Sequence, residues 1–294
     1  MRTSLVAKVA SKMFIFAHRR ARTMLDGEYG AVFRGRSLDF DDLRAYAPGD
    51  EIRDIDWKAS ARVGAPLVRR YAAVRKQTVV LVADTGRGMA AVSRSGEPKR
   101  EIMLMALGVM GYLAYRHGDQ LALVAGDSSA TAAHPPRTGQ AHLEQILRRL
   151  QSSAGTSASR SDLTAQLAHV ARTVRRRGLL VVVADEAVLD DEDEALLARL
   201  AVQHEILWIT VLDAELVGAA APRRSYDVDG GALLLGRLAA EEEVVREYGR
   251  LMAERTERRE RILNRLGIVE GRLGSVDEVL PGIFRLLERH RRAR

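Results

Sequence analysis

The sequence predicts an α/β protein with a doubly wound, mainly parallel sheet covered by helices. Two observations support this prediction. From residue 78 onward, short apolar runs rich in Val, Ile and Leu recur, and they are continuous rather than alternating, which is typical of strands buried on both faces. A stretch with helical character separates most of these runs, and such alternation is typical of parallel sheets with helices on their faces.

The predicted elements follow in a regular order. The strands are TVVLVAD (78–84), LALVAGD (121–127), LLVVVAD (179–185), EILWITVLD (205–213) and a last one within LGIVEG (266–271). The helices are predicted within 99–118, 139–151, 160–178, 190–202, 238–266 and 275–290. The helix at 238–266 begins with acidic residues and ends with basic ones, as the helix dipole favours.

The first 77 residues show no such alternation, which predicts an extension (1–77) wrapped against a sheet domain (78–294). Residues 1–25 contain a basic amphipathic stretch that Lys8 and Lys12 interrupt, so we expect a packed helix rather than a signal peptide. Attachment of this helix to a membrane surface is the alternative. The most apolar stretch, IMLMALGVMGYLAY, has 14 residues and is too short to cross a bilayer.

Composition restricts the possible chemistry. The chain has 294 residues and no cysteine, which excludes disulfides, thiolate metal sites and cysteine nucleophiles and favours a cytoplasmic location. Lys and Arg outnumber Asp and Glu by 46 to 39, but the excess is spread along the chain. Because the net charge is +7, binding to nucleic acid or to an anionic membrane surface is kept as an alternative function.

Motifs for catalysis are missing from the sequence. There is no Walker loop, Gly-x-Ser-x-Gly elbow, dinucleotide-binding glycine motif or His-Glu-x-x-His zinc motif, and the seven histidines are scattered. We therefore expect a protein that is not an enzyme. A metal-dependent hydrolase is a second alternative.

Four predicted strands end in aspartate, at Asp84, Asp127, Asp185 and Asp213. The carboxyl edge of a parallel sheet is where sites assemble, and carboxylates gathered there repel one another unless a cation or hydrogen-bond donors neutralise them. A divalent-cation site is one interpretation. Capping of the following turn or helix is the other, and it is favoured for Asp127 and Asp213.

The stretch VVLVADTGRGM resembles the first strand of von Willebrand factor type A domains, which ends in Asp-x-Ser-x-Ser and binds Mg²⁺ with a loop Thr and a later Asp. Asp84 matches the first Asp, Ser161 resembles the Thr and Asp185 resembles the later Asp, whereas Gly86 and Gly88 stand at both Ser positions. Arg87 lies inside the motif, where its cation could neutralise Asp84. The resemblance implies a degenerate metal site with weak or no Mg²⁺ binding, and no other cofactor is expected.

Upstream, residues 25–71 resemble the bacterial family called domain of unknown function 58. Its LR-x-Y-x-PGD and R-x-IDW elements are both present, as Leu43, Arg44, Tyr46, Pro48, Gly49 and Asp50, and as Arg53, Ile55, Asp56, Trp57 and Arg62. The resemblance is close over residues 20–130. It implies partnership with a MoxR-type AAA+ ATPase, to which members are typically encoded adjacent, in assembling or activating client proteins.

The charges of this stretch favour a structural or interface network. Residues 34–62 carry six basic and seven acidic side chains, whereas a nucleic-acid patch is dominated by basic ones. We expect Arg44, Arg53 and Arg62 to bind carboxylates, with Tyr46 and Trp57 as aromatic anchors. Direct contact with a partner and catalysis by this stretch are the alternatives. The sequence thus predicts a non-enzymatic adaptor that docks on a macromolecule, with nucleic acid disfavoured and any membrane contact peripheral.

Overall fold

A computed structural model describes residues 4–16, 27–30, 42–47, 50, 52, 55–70, 76–186, 188–218, 224–228, 232–235 and 239–293. Its strands are β1 (Asp42–Ala45), β2 (Leu67–Arg70), β3 (Thr78–Asp84), β4 (Gln120–Gly126), β5 (Thr131–Arg137), β6 (Leu179–Ala184), β7 (Glu205–Val211), β8 (Arg224–Tyr226), β9 (Leu233–Leu235) and β10 (Val269–Leu273). Its helices are α1 (Leu5–Phe16), α2 (Trp57–Val63), α3 (Lys99–Arg116), α4 (Gln140–Ser153), α5 (Leu163–Thr173), α6 (Asp191–Gln203), α7 (Glu242–Arg265) and α8 (Val279–Arg292), and a 3-10 turn spans Arg87–Ala90.

A six-stranded sheet forms the centre of the molecule. Its order is β10-β7-β6-β3-β4-β5, and every pair is parallel except that of β4 with the edge strand β5. Two antiparallel pairs, β1 with β2 and β8 with β9, lie outside this sheet. The predicted doubly wound, mainly parallel α/β architecture is confirmed. The edge strand β5, with Pro135 and Pro136, was not predicted from the sequence.

Both faces of the sheet are covered, because successive side chains of each strand point to opposite sides. Along β3, Val79 and Leu81 join one core cluster with α1, α3, α4 and α8, whereas Val80 and Val82 join a second with α5, α6 and α7. The continuous apolar runs follow directly from this double burial. None of the helices in the described ranges is long and apolar enough to cross a membrane.

Helix α1 is packed on the sheet domain, as expected for the N-terminal amphipathic stretch. Val6, Val9 and Met13 are buried in the first core cluster, against α3 and α4. Glu144 of α4 accepts hydrogen bonds from the N–H groups of Leu5 and Val6, at 3.1 and 2.9 Å, and so caps the helix. Burial alone would raise the pKa of Glu144, but these N–H groups lower it, which favours the charged cap.

A buried polar chain joins β7, β10 and α7. The Trp208 indole N–H donates to Thr210 Oγ1 at 3.1 Å, and the Thr210 hydroxyl donates to Glu270 Oε1 at 2.5 Å. Arg259 Nε donates to the same carboxylate oxygen at 2.9 Å, and the Arg259 side chain is only 1% exposed. The charge on Glu270 is therefore compensated inside the protein by one arginine.

Replacing Arg259 by Met should lower the free energy of unfolding by about 3–5 kcal/mol, because Glu270 would remain buried without its cation. Urea unfolding followed by circular dichroism measures the loss. The control is Arg250→Met on an exposed part of the same helix, where surface ion pairs with Glu247 and Glu254 contribute little. Equal losses in the two variants would contradict a stabilising role for the buried pair.

Candidate functional site

The carboxyl edge of the sheet brings together residues from three adjacent strands. In the ladder between β3 and β6, Ala83 lies opposite Val183, so Asp84 and Asp185 stand at neighbouring strand ends. Strand β7 pairs with the other side of β6, and Asp213 follows it two residues after Val211. Parallel strands thus place Asp84, Asp185 and Asp213 along one edge, as the sequence predicted.

Asp84 organises the turn that leaves β3. Its side chain is 1% exposed, and Oδ1 accepts a hydrogen bond from the Gly86 N–H at 2.8 Å. The following Thr85 N–H donates to the Gly126 carbonyl of β4 at 2.8 Å. Asp84 is thereby used, at least in part, to hold the backbone of the loop that carries the predicted motif.

Gly86 and Gly88 both lie close to their neighbours, Gly86 against the Ser161 backbone and Gly88 against the ends of two side chains. A Cβ at Gly86 would lie 2.4 Å from the Ser161 Cα, and a Cβ at Gly88 would lie 2.7 Å from Ser161 Oγ and 2.9 Å from Asp185 Oδ2. Ser161 and Asp185 therefore occupy the space that serine side chains would need. The absence of side chains at Gly86 and Gly88 therefore matches the close packing of this edge.

Ser161 and Arg87 lie at the same edge. Ser161 Oγ is buried and forms no hydrogen bond with any described residue. The Arg87 N–H donates to the Ser159 carbonyl at 2.9 Å, which joins the glycine-containing turn to the loop before α5. Neutralisation of Asp84 by the Arg87 guanidinium stays a prediction.

A lysine that sequence reasoning missed occupies the centre of this edge. Lys99, the first residue of α3, is 1% exposed, and its ammonium lies 3.4 Å from Asp185 Oδ2. The same ammonium donates a hydrogen bond to Asp213 Oδ1. The expectation that Asp213 merely caps a turn is therefore wrong, whereas Asp127 does close its turn by accepting from the Ser129 and Ala130 N–H groups.

The charges around Lys99 explain its protonation. Burial alone would lower the pKa of the ammonium, but Asp185 and Asp213 together raise it. Burial raises the pKa of Asp213, and the negative charges of Asp185 and Glu186 add to this effect although Lys99 opposes it. The ammonium of Lys99 therefore stays charged, because the attraction of two carboxylates outweighs its burial.

One signal in the sequence pointed to Lys99. It is the first residue of a helix in which thirteen of eighteen residues are buried. A cation at this end of a helix opposes the helix dipole, which favours anions there. The structure supplies compensating carboxylates from another part of the chain, at Asp185 and Asp213.

The residues present do not fit a divalent-cation site. Glycines stand at both hydroxyl positions of the motif, so two oxygen ligands are missing, and Asp185 is already paired with the Lys99 ammonium. Within the described ranges, no three or more His, Cys, Asp or Glu side chains are grouped so that they could hold a metal ion. Mg²⁺ keeps several waters and is bound through one or two carboxylates, whereas here the Asp185 carboxylate faces the Lys99 ammonium and Asp84 Oδ1 accepts from the Gly86 N–H.

The upstream charged segment lies partly within the described residues. Asp56 caps α2 by accepting from the Lys58 and Ala59 N–H groups, at 3.1 and 3.0 Å. Asp50 accepts from the Ala47 N–H at 2.9 Å and closes the turn after β1. Of the three arginines predicted to bind carboxylates, Arg44 lies in β1 and Arg62 is exposed in the last turn of α2. Arg53 lies outside the described residues.

The aromatic residues of this segment point to solvent. Trp57 is 66% exposed at the start of α2, and Tyr46 is 37% exposed. Trp57 is thus not an internal anchor, contrary to one form of the prediction. An interface role for these residues stays a prediction.

The mainly parallel sheet, its helical layers and the acidic strand ends define a mixed α/β domain of the kind that the von Willebrand-like motif predicted. The model of the family described as "Protein of unknown function DUF58" matches residues 42–219, and the chain belongs to this family. Relatives described as uncharacterized proteins, from Mycobacterium bovis and Mycobacterium tuberculosis, are 31% identical over 229 residues, covering 76% of this chain and 68% of theirs.

The chain is also similar to solved structures, at low sequence identity and low TM-score. The von Willebrand factor type A protein from Catenulispora acidiphila is 9% identical with a TM-score of 0.41, covering 76% of this chain and 44% of that chain. The PilB minor pilin from Streptococcus sanguinis is 8% identical with a TM-score of 0.46, covering 78% and 66%. The chain therefore spans less than half of the first of these proteins, and no activity follows from likenesses at these values.

Replacing Gly88 by Ser should destabilise the protein by about 1–3 kcal/mol, because the new side chain would overlap Ser161 and Asp185. Thermal unfolding measures the change. Gly249→Ser in α7 is the matched control, since nothing lies within 4 Å of its Cβ position, and its unfolding temperature should stay close to that of the wild type. A Gly88→Ser variant as stable as the control would show that the edge has room for a serine.

Proposed function

We propose that this protein is a non-enzymatic adaptor that docks on another protein through the segment containing β1, α2 and β2. The observation that supports the proposal most directly is the exposure of large apolar side chains in this short segment. Tyr46, Ile52, Trp57 and Val63 are all exposed between residues 46 and 63. Single exposed apolar residues are ordinary, but several in one segment, including a Trp and a Tyr, are typical of binding surfaces.

Hydrogen bonds hold this segment in shape although it has little core of its own. The Asp56 N–H donates to the Leu67 carbonyl at 2.8 Å, and the Ser60 hydroxyl donates to the Asp56 carbonyl at 2.7 Å. Ser60 Oγ also accepts from the Leu67 N–H at 2.8 Å. A two-stranded sheet is marginally stable alone. These hydrogen bonds therefore stabilise the pairing of α2 with β2 and keep Trp57 exposed to solvent.

The partner that we propose is a MoxR-type AAA+ ATPase, with an unidentified client protein. Family resemblance supports this choice, and the absence of cysteine favours a shared cytoplasmic location. The proposal includes no catalytic step. It places the contact on the upstream segment rather than on the acidic edge of the sheet, because Asp84 is buried and engaged in its own turn.

Replacing Trp57 by Ala should weaken capture of the ATPase by tenfold or more, since truncating an interface anchor typically costs at least 1–2 kcal/mol. Asp84→Ala should weaken capture less. Pull-downs with the purified ATPase, together with its rate of ATP hydrolysis, measure both effects.

The control for this experiment is Val202→Ala, which removes an apolar side chain of α6 that is even more exposed, at 87% against 66% for Trp57, and should leave capture unchanged. A larger loss for Asp84→Ala than for Trp57→Ala, combined with dependence on Mg²⁺, would contradict the proposal. Capture of nucleic acid or anionic vesicles that falls steeply with salt, without any capture of the ATPase, would favour the alternative function.

A further inference from the structure

Two carboxylates at the carboxyl edge of the sheet share one buried cation. Asp185, the residue that resembles a metal ligand, directs Oδ2 toward two neighbours: the Lys99 ammonium at 3.4 Å and the backbone at Gly88, whose Cβ position is 2.9 Å away. Asp213 on the next strand accepts a hydrogen bond from the same ammonium. One cation therefore joins the ends of β6 and β7 to the start of α3.

Lys99 is too deeply buried to serve as a surface charge. Its side chain is 2% exposed, against 18% for Asp185 and 34% for Asp213. The carboxylates thus lie between the ammonium and solvent. An isolated buried ammonium is costly, and an arrangement of this kind is stable only when carboxylates of good geometry surround it.

We propose that the Lys99 ammonium is the resident cation of this edge and takes the place of a divalent ion there. The edge is assembled without metal, and it offers no open coordination position to a carboxylate of a partner. This inference goes beyond the proposed docking function, which uses the upstream segment, because it concerns how the carboxyl edge itself is assembled. Its test needs no partner, so its failure is distinguishable from a failure to bind the ATPase.

The test is a mutant cycle measured by urea unfolding. Lys99→Met should lower the folding equilibrium constant by roughly 10²–10³-fold, because Asp185 and Asp213 lose their cation in a buried setting. Adding Asp185→Asn and Asp213→Asn to Lys99→Met should recover most of that loss, since the amides require no cation. Lys99→Met can fail to fold at all. In that case, folding of the triple variant supports the proposal, because it shows that removing the two carboxylate charges restores stability.

Two outcomes would overturn the proposal. In the first, the triple variant is no more stable than Lys99→Met, or also fails to fold, which would show that Lys99 acts by packing rather than by charge. In the second, Mg²⁺ or Mn²⁺ raises the unfolding midpoint of the wild-type protein, or EDTA lowers it, which would show that a divalent ion belongs to the edge. The expected result is an unchanged wild-type midpoint under all three conditions.

Discussion

The buried ammonium of Lys99 is the interaction on which the acidic edge depends. Parallel strands β6 and β7 end side by side, with Ala184 opposite Thr210, and so bring the following Asp185 and Asp213 to the same edge. Like charges held so close are unfavourable without a compensating cation. Because that cation belongs to the first turn of α3, the same contact also fixes where the central helix starts relative to the sheet.

The glycines of the motif lie at the same edge. A Cβ at Gly88 would lie 2.9 Å from Asp185 Oδ2, the oxygen that faces the Lys99 ammonium at 3.4 Å. A hydroxyl side chain at Gly88 would therefore compete with this carboxylate for space, so the glycine and the internal ion pair are compatible parts of one arrangement.

Local patterns in the sequence were sufficient for the sheet, because a strand buried on both faces is apolar at every position. Continuous runs such as that of β6, where all six residues are buried, can be read directly. The edge strand β5 lacks this pattern, since its residues are half-buried or exposed, and its prolines disfavour a strand interpretation. The pairing of Lys99 with Asp185 spans 86 residues, and no local periodicity encodes so distant a contact. The meeting of Asp84 with Asp185 was predictable for a different reason, namely that parallel strands end at a common edge.

Helices α1 and α8 both pack on α3, on the same face of the sheet. They come from opposite ends of the described chain. Arg291, in the last turn of α8, also forms an ion pair with Glu28 at 2.8 Å. Contacts of such large sequence separation slow folding, because a long loop must close before they form. During synthesis on the ribosome, this layer therefore stays incomplete until α8 has emerged, and α3 keeps an apolar surface that a chaperone can bind in the meantime.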